Sequence, residues 1–512
     1  MSGAAGLSSG SGRSPVGSIV PAGGRSFHLL IGVGIALVVI PLGLAATRSA
    51  AVVVLPVIVG VAYAMLRRPH LAIYLVLLVL YTNAAVVAVK FENVPAFVAA
   101  AFPLLLAVPL ANQFIVRRGH LFAPPALIPL LAFLLVQLAS AALSSNLGRS
   151  IDTVLTFVSE GLVLFLMITT AVQSRTILVG AMWTIVIGGA LLGALSAYQQ
   201  ATGTFSNNYF GFAQLTAAEF RTGEETLQGD VFQPRLAGPI GEENFYAQIL
   251  AVGIPMAMGL VRLNTRLPIR AIAAGAALAI ASGVALTFSR GAVVGLGIAL
   301  LIAIALRVVH RRQIVAIAGA ALIVVILFPG LLIRLATLDP TSAAADAAIQ
   351  GRSTENAAAA LAFLDHPILG VGPGLFPTFY QTYAQTIGVG LHAGTREAHN
   401  LYLGLAAETG VTGVVTFGAV LILTFRSLLQ ARRLKGDPIE PIATALLLSL
   451  VIFLTTSLFL HLAYERYFWL LMALAAGAGI VGRERISELE SQDRARSTSS
   501  PILARPVLAA QR

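Results

Sequence analysis

Residues 271–312 read AIAAGAALAIASGVALTFSRGAVVGLGIALLIAIALRVVHRR. Two apolar runs, 271–287 and 291–309, flank the polar turn Thr287–Arg290. Each is close to the ~20 helical residues that cross a ~30 Å hydrocarbon layer. Neither has a polar stripe, so neither fits the surface of a soluble domain. The second run ends among Arg307, Arg311 and Arg312, while the turn between the runs carries Arg290 alone. Because basic residues stay on the cytoplasmic side, the cluster belongs inside and Arg290 outside. An arginine on the outer side runs against that rule and asks for a chemical reason.

The pattern recurs along all 512 residues, which are 57% hydrophobic and only 11% charged. A soluble domain carries ~25% charged residues. Fourteen candidate spans follow: 28–47, 49–66, 71–89, 95–115, 123–143, 151–172, 177–199, 243–261, 271–287, 291–309, 313–335, 399–425, 440–461 and 467–482. Alternating them from a cytoplasmic N-terminus places 23 of the 33 Lys and Arg inside. The fold class is therefore an all-α polytopic integral membrane protein of about 12–14 transmembrane helices, multi-pass, with both termini cytoplasmic. The net charge of +11 is read as topology and not as nucleic-acid binding. There is no cysteine, so disulfides and thiolate metal sites are excluded.

The chain divides into a Gly/Ser-rich, disordered cytoplasmic tail (1–27), a first helical block (28–200), an extracytoplasmic loop (201–242), a helical core (243–335), a long extracytoplasmic loop (336–398), a last helical block (399–483) and a cytoplasmic tail (484–512). The long loop contains a short helix over Asn356–Phe363, lying on the membrane surface, which the GVGPG stretch cannot continue. No internal repeat suggests a transporter-type inverted duplication.

Among the external basic residues, Arg48, Lys90, Arg149, Arg221 and Arg334 sit at span ends or in open loop, where snorkelling or solvation accounts for them. Arg235, Arg290, Arg352 and Arg396 differ in their surroundings. Spans eight, ten and twelve run from outside to inside, so their free N–H groups and positive dipole ends face outward. Arg235, Arg290 and Arg396 each precede one of these three N-termini. A guanidinium beside a helix N-terminus is a ready phosphate site. Against this stands local pairing with Glu242, Glu243 and Glu397.

His399 begins the last of the three helices, close in sequence to Glu397, Asn400, Tyr402 and Glu408. A neutral imidazole there can take a proton from a hydroxyl near pH 7, with the carboxylates orienting it. Glu242, Glu243 and Asp365 are further acid/base candidates. Zinc is disfavoured, because there is no HExxH and no ligand spacing around His366 or His392. No metal and no cofactor is expected.

Four segments in order, RLAGPIGEENFYA (235–247), TFSRGAVVGLGIAL (287–300), HPILGVGPG (366–374) and HNLYLGLAAETG (399–410), resemble the O-antigen ligase and O-antigen polymerase superfamily. The resemblance covers about residues 230–425. It implies a GT-C-like integral-membrane glycosyltransferase of the bacterial cytoplasmic membrane, metal-independent and inverting, with an extracytoplasmic active site. The implied donor is a glycan on undecaprenyl pyrophosphate; the acceptor is a hydroxyl of lipid A-core, of a growing polysaccharide or of a protein. The partners are then that donor, that acceptor and membrane lipids. By resemblance Arg235 and Arg290 hold the pyrophosphate and His399 is catalytic, while Arg352 and Arg396, as further substrate contacts, and Glu408, in support, match the family less closely. Glu242, Asn244, Asn400 and Tyr402 are supporting candidates from their place beside these residues. The fourteen spans exceed the twelve usual in the ligases. The rival class, a transporter or lipid-glycan flippase, places ionisable groups near the bilayer midplane. Here the spans are almost free of charge away from their ends, Glu160 and Glu408 being the exceptions, and the polar set gathers on one face.

Overall fold

The computed structural model describes residues 59–65, 67–116, 123–226, 229–327, 347–387, 394–461 and 465–499. Both expected tails (the last in part), the first candidate span and most of the second lie outside these residues. In chain order the helices are α1 (His70–Tyr81), α2 (Ala84–Phe91), α3 (Ala96–Ile115), α4 (Leu127–Ala142), α5 (Leu147–Ala171), α6 (Arg175–Thr202), α7 (Glu243–Leu263), α8 (Leu267–Leu286), α9 (Arg290–Ala305), α10 (Arg311–Leu327), α11 (Ala347–Asp365), α12 (Phe376–Ile387), α13 (Leu401–Arg432), α14 (Ile439–Thr456) and α15 (Glu465–Ser499). Among the described residues, seven helices are long and apolar enough to span a membrane, or eight if α1 and α2 count as one broken span. The protein is an all-α polytopic membrane protein.

Span 71–89 is not a single rod: α1 and α2 meet at 55° across Asn83, which takes a left-handed φ of 58°. Asparagine tolerates that region better than most residues. Its side chain is held from two sides. Asn83 Nδ2 donates to the Pro239 carbonyl at 2.8 Å, and Arg466 Nη2 donates to Asn83 Oδ1 at 2.6 Å. Arg466 also lies 3.6 Å from Glu160, an ion pair that accounts for one of the two carboxylates within spans.

The 201–242 loop contains what the helical reading did not anticipate. Gln214–Thr226 (β1) and Gly229–Gly238 (β2) pair antiparallel, with Thr216 opposite Arg235 and Leu215 opposite Leu236. Bulges interrupt the ladder, which lets a short ribbon twist and follow its support. The hairpin delivers Arg235 to the mouth of α7.

At the centre stands α14, apolar on every side, with 83% of its hydrophobic window buried against 33% in α13. It packs on α7, α9, α13 and α15. Polar side chains are paired across its contacts: Ser449 Oγ donates to the Val252 carbonyl at 2.7 Å, and Gln248 Nε2 of α7 reaches Phe453 O, Thr456 Oγ1 and Ser457 Oγ at 2.8–3.1 Å. Such bonds between helices in lipid contribute ~0.6–2 kcal/mol each. Ile128, Leu191, Leu278, Leu301 and Ile326 face outward, as lipid-facing residues do.

Helix α13 is broken at Gly410, where φ is 64° and ψ −166°. The segment His366–Gly374 lies in that break. Val371 N donates to Ala407 O at 2.9 Å, Gly372 N to Glu408 O at 3.1 Å, and Val411 N to Pro367 O at 2.8 Å. A Cβ on Gly410 would meet the Ile368 backbone, and one on Gly370 the Glu408 backbone. The GVGPG stretch is thus turn chemistry with a fixed seat. The helix expected over Asn356–Phe363 is longer than the sequence suggested, running over all of α11, because the alanine-rich flank propagates it.

Helices α6 and α8 touch backbone to backbone at Gly193, where a Cβ would strike the Ala279 carbonyl. Gly193→Val is expected to cut membrane accumulation and lower the thermal midpoint, whereas Gly275→Ala, with nothing within 4 Å, leaves both unchanged. Thermal-shift measurements on both purified variants check this.

Candidate active site

Arg235 is 5% exposed and committed on three sides. Its Nε donates to the Thr287 carbonyl at 2.9 Å, its Nη2 to Asn244 Oδ1 at 3.2 Å, and its Nη1 to the Glu243 carboxylate, which also accepts from Thr216 Oγ1. Local pairing therefore describes Arg235. The partner is Glu243 and not Glu242. Glu242 caps α7, its carboxylate accepting from Phe245 N at 2.7 Å, and Asn244 Nδ2 bridges to it at 2.8 Å. The bond from Arg235 to Thr287 joins the α7 mouth to the turn that presents Arg290. In that turn Phe288 adopts a φ of 53°, and half-buried Arg290 is the first residue of α9.

The third mouth is that of α13. Asn400 caps it, its Oδ1 accepting from Tyr402 N at 3.0 Å and Leu403 N at 3.2 Å. Tyr402 donates its hydroxyl to the Leu454 carbonyl at 2.9 Å, and Leu401 N donates to Ser457 O at 2.9 Å. The end of α14 is thus the post against which the α7 and α13 mouths are set. The α9 mouth reaches it as well, since a Cβ on Gly291 would stand 3.2 Å from Phe459.

His399 sits at this junction with a φ of 40°, a left-handed conformation uncommon for histidine. Such strain costs ~1–3 kcal/mol and persists where the surroundings enforce it. Its Nδ1 lies 2.8 Å from Glu355 Oε2 on α11 and 3.2 Å from the Glu397 carbonyl. The Glu355 contact is a close approach in which Oε2 accepts no aligned hydrogen bond. On another side the ring meets His461 edge-on at 5.5 Å, and His461 in turn meets Phe245 at 5.3 Å. Burial, and then the neighbouring His399, push His461 down to about 4, so it is neutral at physiological pH. Burial raises the Glu397 carboxyl, opposed by the charges of His399 and Arg149.

The remaining candidates are placed as follows. Arg352 lies half-buried on α11, one turn before Glu355. Arg396, also half-buried, acts on the Tyr380 hydroxyl, which burial and then Glu355 push up and Arg396 pulls back. Asp365 lies at the far end of α11, exposed, beside Tyr383. The Glu408 carboxylate accepts the backbone N–H groups of Gly374 and, at 3.3 Å, Phe376. It caps α12, a stabilising position for an anion at a helix N-terminus.

Two residues were passed over in the sequence. Arg149, read as solvated, donates from Nη1 to Thr378 Oγ1 at 3.3 Å and contributes charge near Glu397. Glu355 was hidden in QGRSTENA, yet Glu355, Ala358, Ala359 and Ala362 follow the i, i+3, i+4, i+7 spacing of a buried helical stripe and are all buried.

Because the folded state holds His461 below its usual value of 6.5, the unfolded chain binds more protons as pH falls from 6.5 towards 4. Stability contributed by neutral His461 is therefore present above about 6.5 and lost on acidification through that window. His461→Phe, which keeps the ring and removes the proton site, is expected to flatten the fall of thermal midpoint across it.

Residues 274–418 match the sequence model of a family described as O-antigen ligase. The match contains Arg290, Arg352, Glu355, Arg396, His399 and Glu408 and stops short of Arg235. No curated protein matches the chain. Over these residues the chain is similar to an O-antigen ligase domain, in line with the resemblance to the O-antigen ligase and polymerase superfamily.

Proposed function

We propose that the protein is an inverting, metal-independent glycosyltransferase that moves a glycan from an undecaprenyl-pyrophosphate carrier to an acceptor hydroxyl. The acceptor belongs to lipid A-core, a growing polysaccharide or a protein, and the reaction takes place on the outer face of the bacterial cytoplasmic membrane. The observation that carries this reading is the meeting of His399 with the mouths of α7, α9 and α13 around the end of α14. Three positive dipole ends with arginines near one junction suit a diphosphate.

The acceptor hydroxyl gives its proton to His399 as its oxygen attacks the anomeric carbon. The bond to the carrier breaks on the opposite face, and its electron pair leaves with the pyrophosphate oxygen. Fixed donors that face this growing charge lower the barrier. Arg290, Arg396 and Arg352 are the arginines assigned to that contact. Arg235, already bonded to Glu243, Asn244 and Thr287, acts by fixing the turn that presents Arg290.

Arg290→Ala should lower transfer by ~100-fold, the usual loss for one such charge partner, while the protein still reaches the membrane. Arg235→Ala should lose stability as well, because it strands Glu243 in the interior. His399→Ala should bind the lipid-linked donor and not turn it over. Rates are read in membranes of a strain deleted for the gene and complemented with each variant. Wild-type transfer by Arg290→Ala or His399→Ala removes the corresponding assignment. In the deleted strain, loss of chain length, of lipid attachment or of protein glycosylation tells the three acceptors apart.

A further inference from the structure

We propose that Glu355 is the positioning carboxylate of His399: it fixes the ring and balances the charge the ring takes on during transfer. This rests on reading His399 as the base.

The groups that face His399 come from three elements. Glu355 Oε2 on α11 lies 2.8 Å from Nδ1, the Glu397 carbonyl lies 3.2 Å from the same atom, and His461 after α14 stands edge-on at 5.5 Å. The Glu397 carboxyl acts on the ring through space, shared with Arg149. His461 is neutral and supplies no charge. The Glu355 side chain is only 4% exposed. A carboxylate that deep costs several kcal/mol unless an opposite charge meets it. Among the described residues, the cation-capable group in contact with it is His399.

Two consequences follow from the geometry. A carboxylate and a carbonyl both facing Nδ1 draw the ring proton to that nitrogen, which leaves the Nε2 lone pair for the acceptor hydroxyl. When the hydroxyl proton arrives on Nε2, the imidazolium already has its counter-charge in place. The left-handed backbone at His399 agrees with a ring held from its Nδ1 side. Glu355 is also carried by the long loop, so seating α11 and preparing the base become one event.

The experiment uses the full chain in a deletion strain. Transfer is followed over time in membranes that contain the host's own lipid-linked glycan and acceptor. Glu355→Gln, which keeps the shape and removes the charge, should accumulate normally, retain donor on purification and transfer ~10,000-fold more slowly, as losing an orienting carboxylate does. Glu355→Asp should run at least tenfold faster than the Gln variant. Glu355→Gln combined with His399→Asn should be no slower than His399→Asn alone, because groups that act as a unit are not additive. A purely architectural Glu355 predicts multiplied losses and no advantage for Asp. Any of three results overturns the proposal: Gln within threefold of wild type, Asp no faster than Gln, or a double variant slower than His399→Asn. If the Gln variant fails to reach the membrane, Asp decides alone, and an Asp variant as slow as His399→Asn overturns it. Wild-type transfer by His399→Asn sinks the base reading instead, whatever the Glu355 variants do.

Discussion

Backbone groups in a lipid environment must find partners within the protein, and α13 breaks that economy at Gly410. The break leaves the carbonyls of Ala407 and Glu408 without their helical donors. Val371 N and Gly372 N fill them, while Pro367 O accepts from Val411 N on the far side of the break. Ser140 Oγ closes the joint from α4, 2.6 Å from Leu369 O and 2.9 Å from Glu408 O. A long loop is thereby bonded into the helical bundle as if it were one more strand of backbone. The position of α11, and so of Glu355 over His399, depends on this graft. Alanines 358, 359 and 362 extend it by packing with Tyr380, Ala398 and Ala407.

The second constraint is electrostatic. Three helices open towards one junction, and repulsion between their dipole ends needs compensation. Side chains supply part of it: the Glu242 carboxylate caps α7, and the Asn400 carbonyl oxygen caps α13. The Ser289 side chain makes no capping bond at α9, the mouth that begins with Arg290. Of the three, α9 is therefore the mouth whose positive end is least satisfied by side chains. That is where an anionic group gains most, at the mouth that begins with Arg290.

Much of this architecture was legible. Most described spans fall within about five residues of the apolar runs, because hydropathy decides which segments leave water, whereas α13 runs on to Arg432 and α15 to Ser499, into the stretch expected as a tail. The sequence also put Arg235, Arg290 and His399 near the starts of three helices, and the described residues set those mouths around the end of α14. What escaped reading depends on tertiary partners. The hairpin over Gln214–Gly238 was missed because its bulges break the strict alternation that marks a strand. Glu355 was missed because a glutamate beside Arg352 looks like a local pair until the helix is known to bury one face. Glu408 attracted attention by its depth in an apolar helix, yet it serves the N-terminus of α12, 32 residues away in sequence. Arg466 drew no attention, and it holds Asn83 at the bend between α1 and α2.

These misses share a cause. A sequence shows where polar groups are affordable, and an interior shows where they are used. Glu408, Glu355 and Arg466 are all partly or wholly withdrawn from solvent, and each is stabilised by a partner more than 30 residues away. Such pairs cannot form until the helices are assembled, so they add nothing to the insertion of single spans and much to the specificity of their packing. The Glu355 contact is the one that also reaches a titratable ring. Its geometry ties the seating of α11 to the ring of His399, so that a chain inserted but not yet packed has both side chains and not their contact.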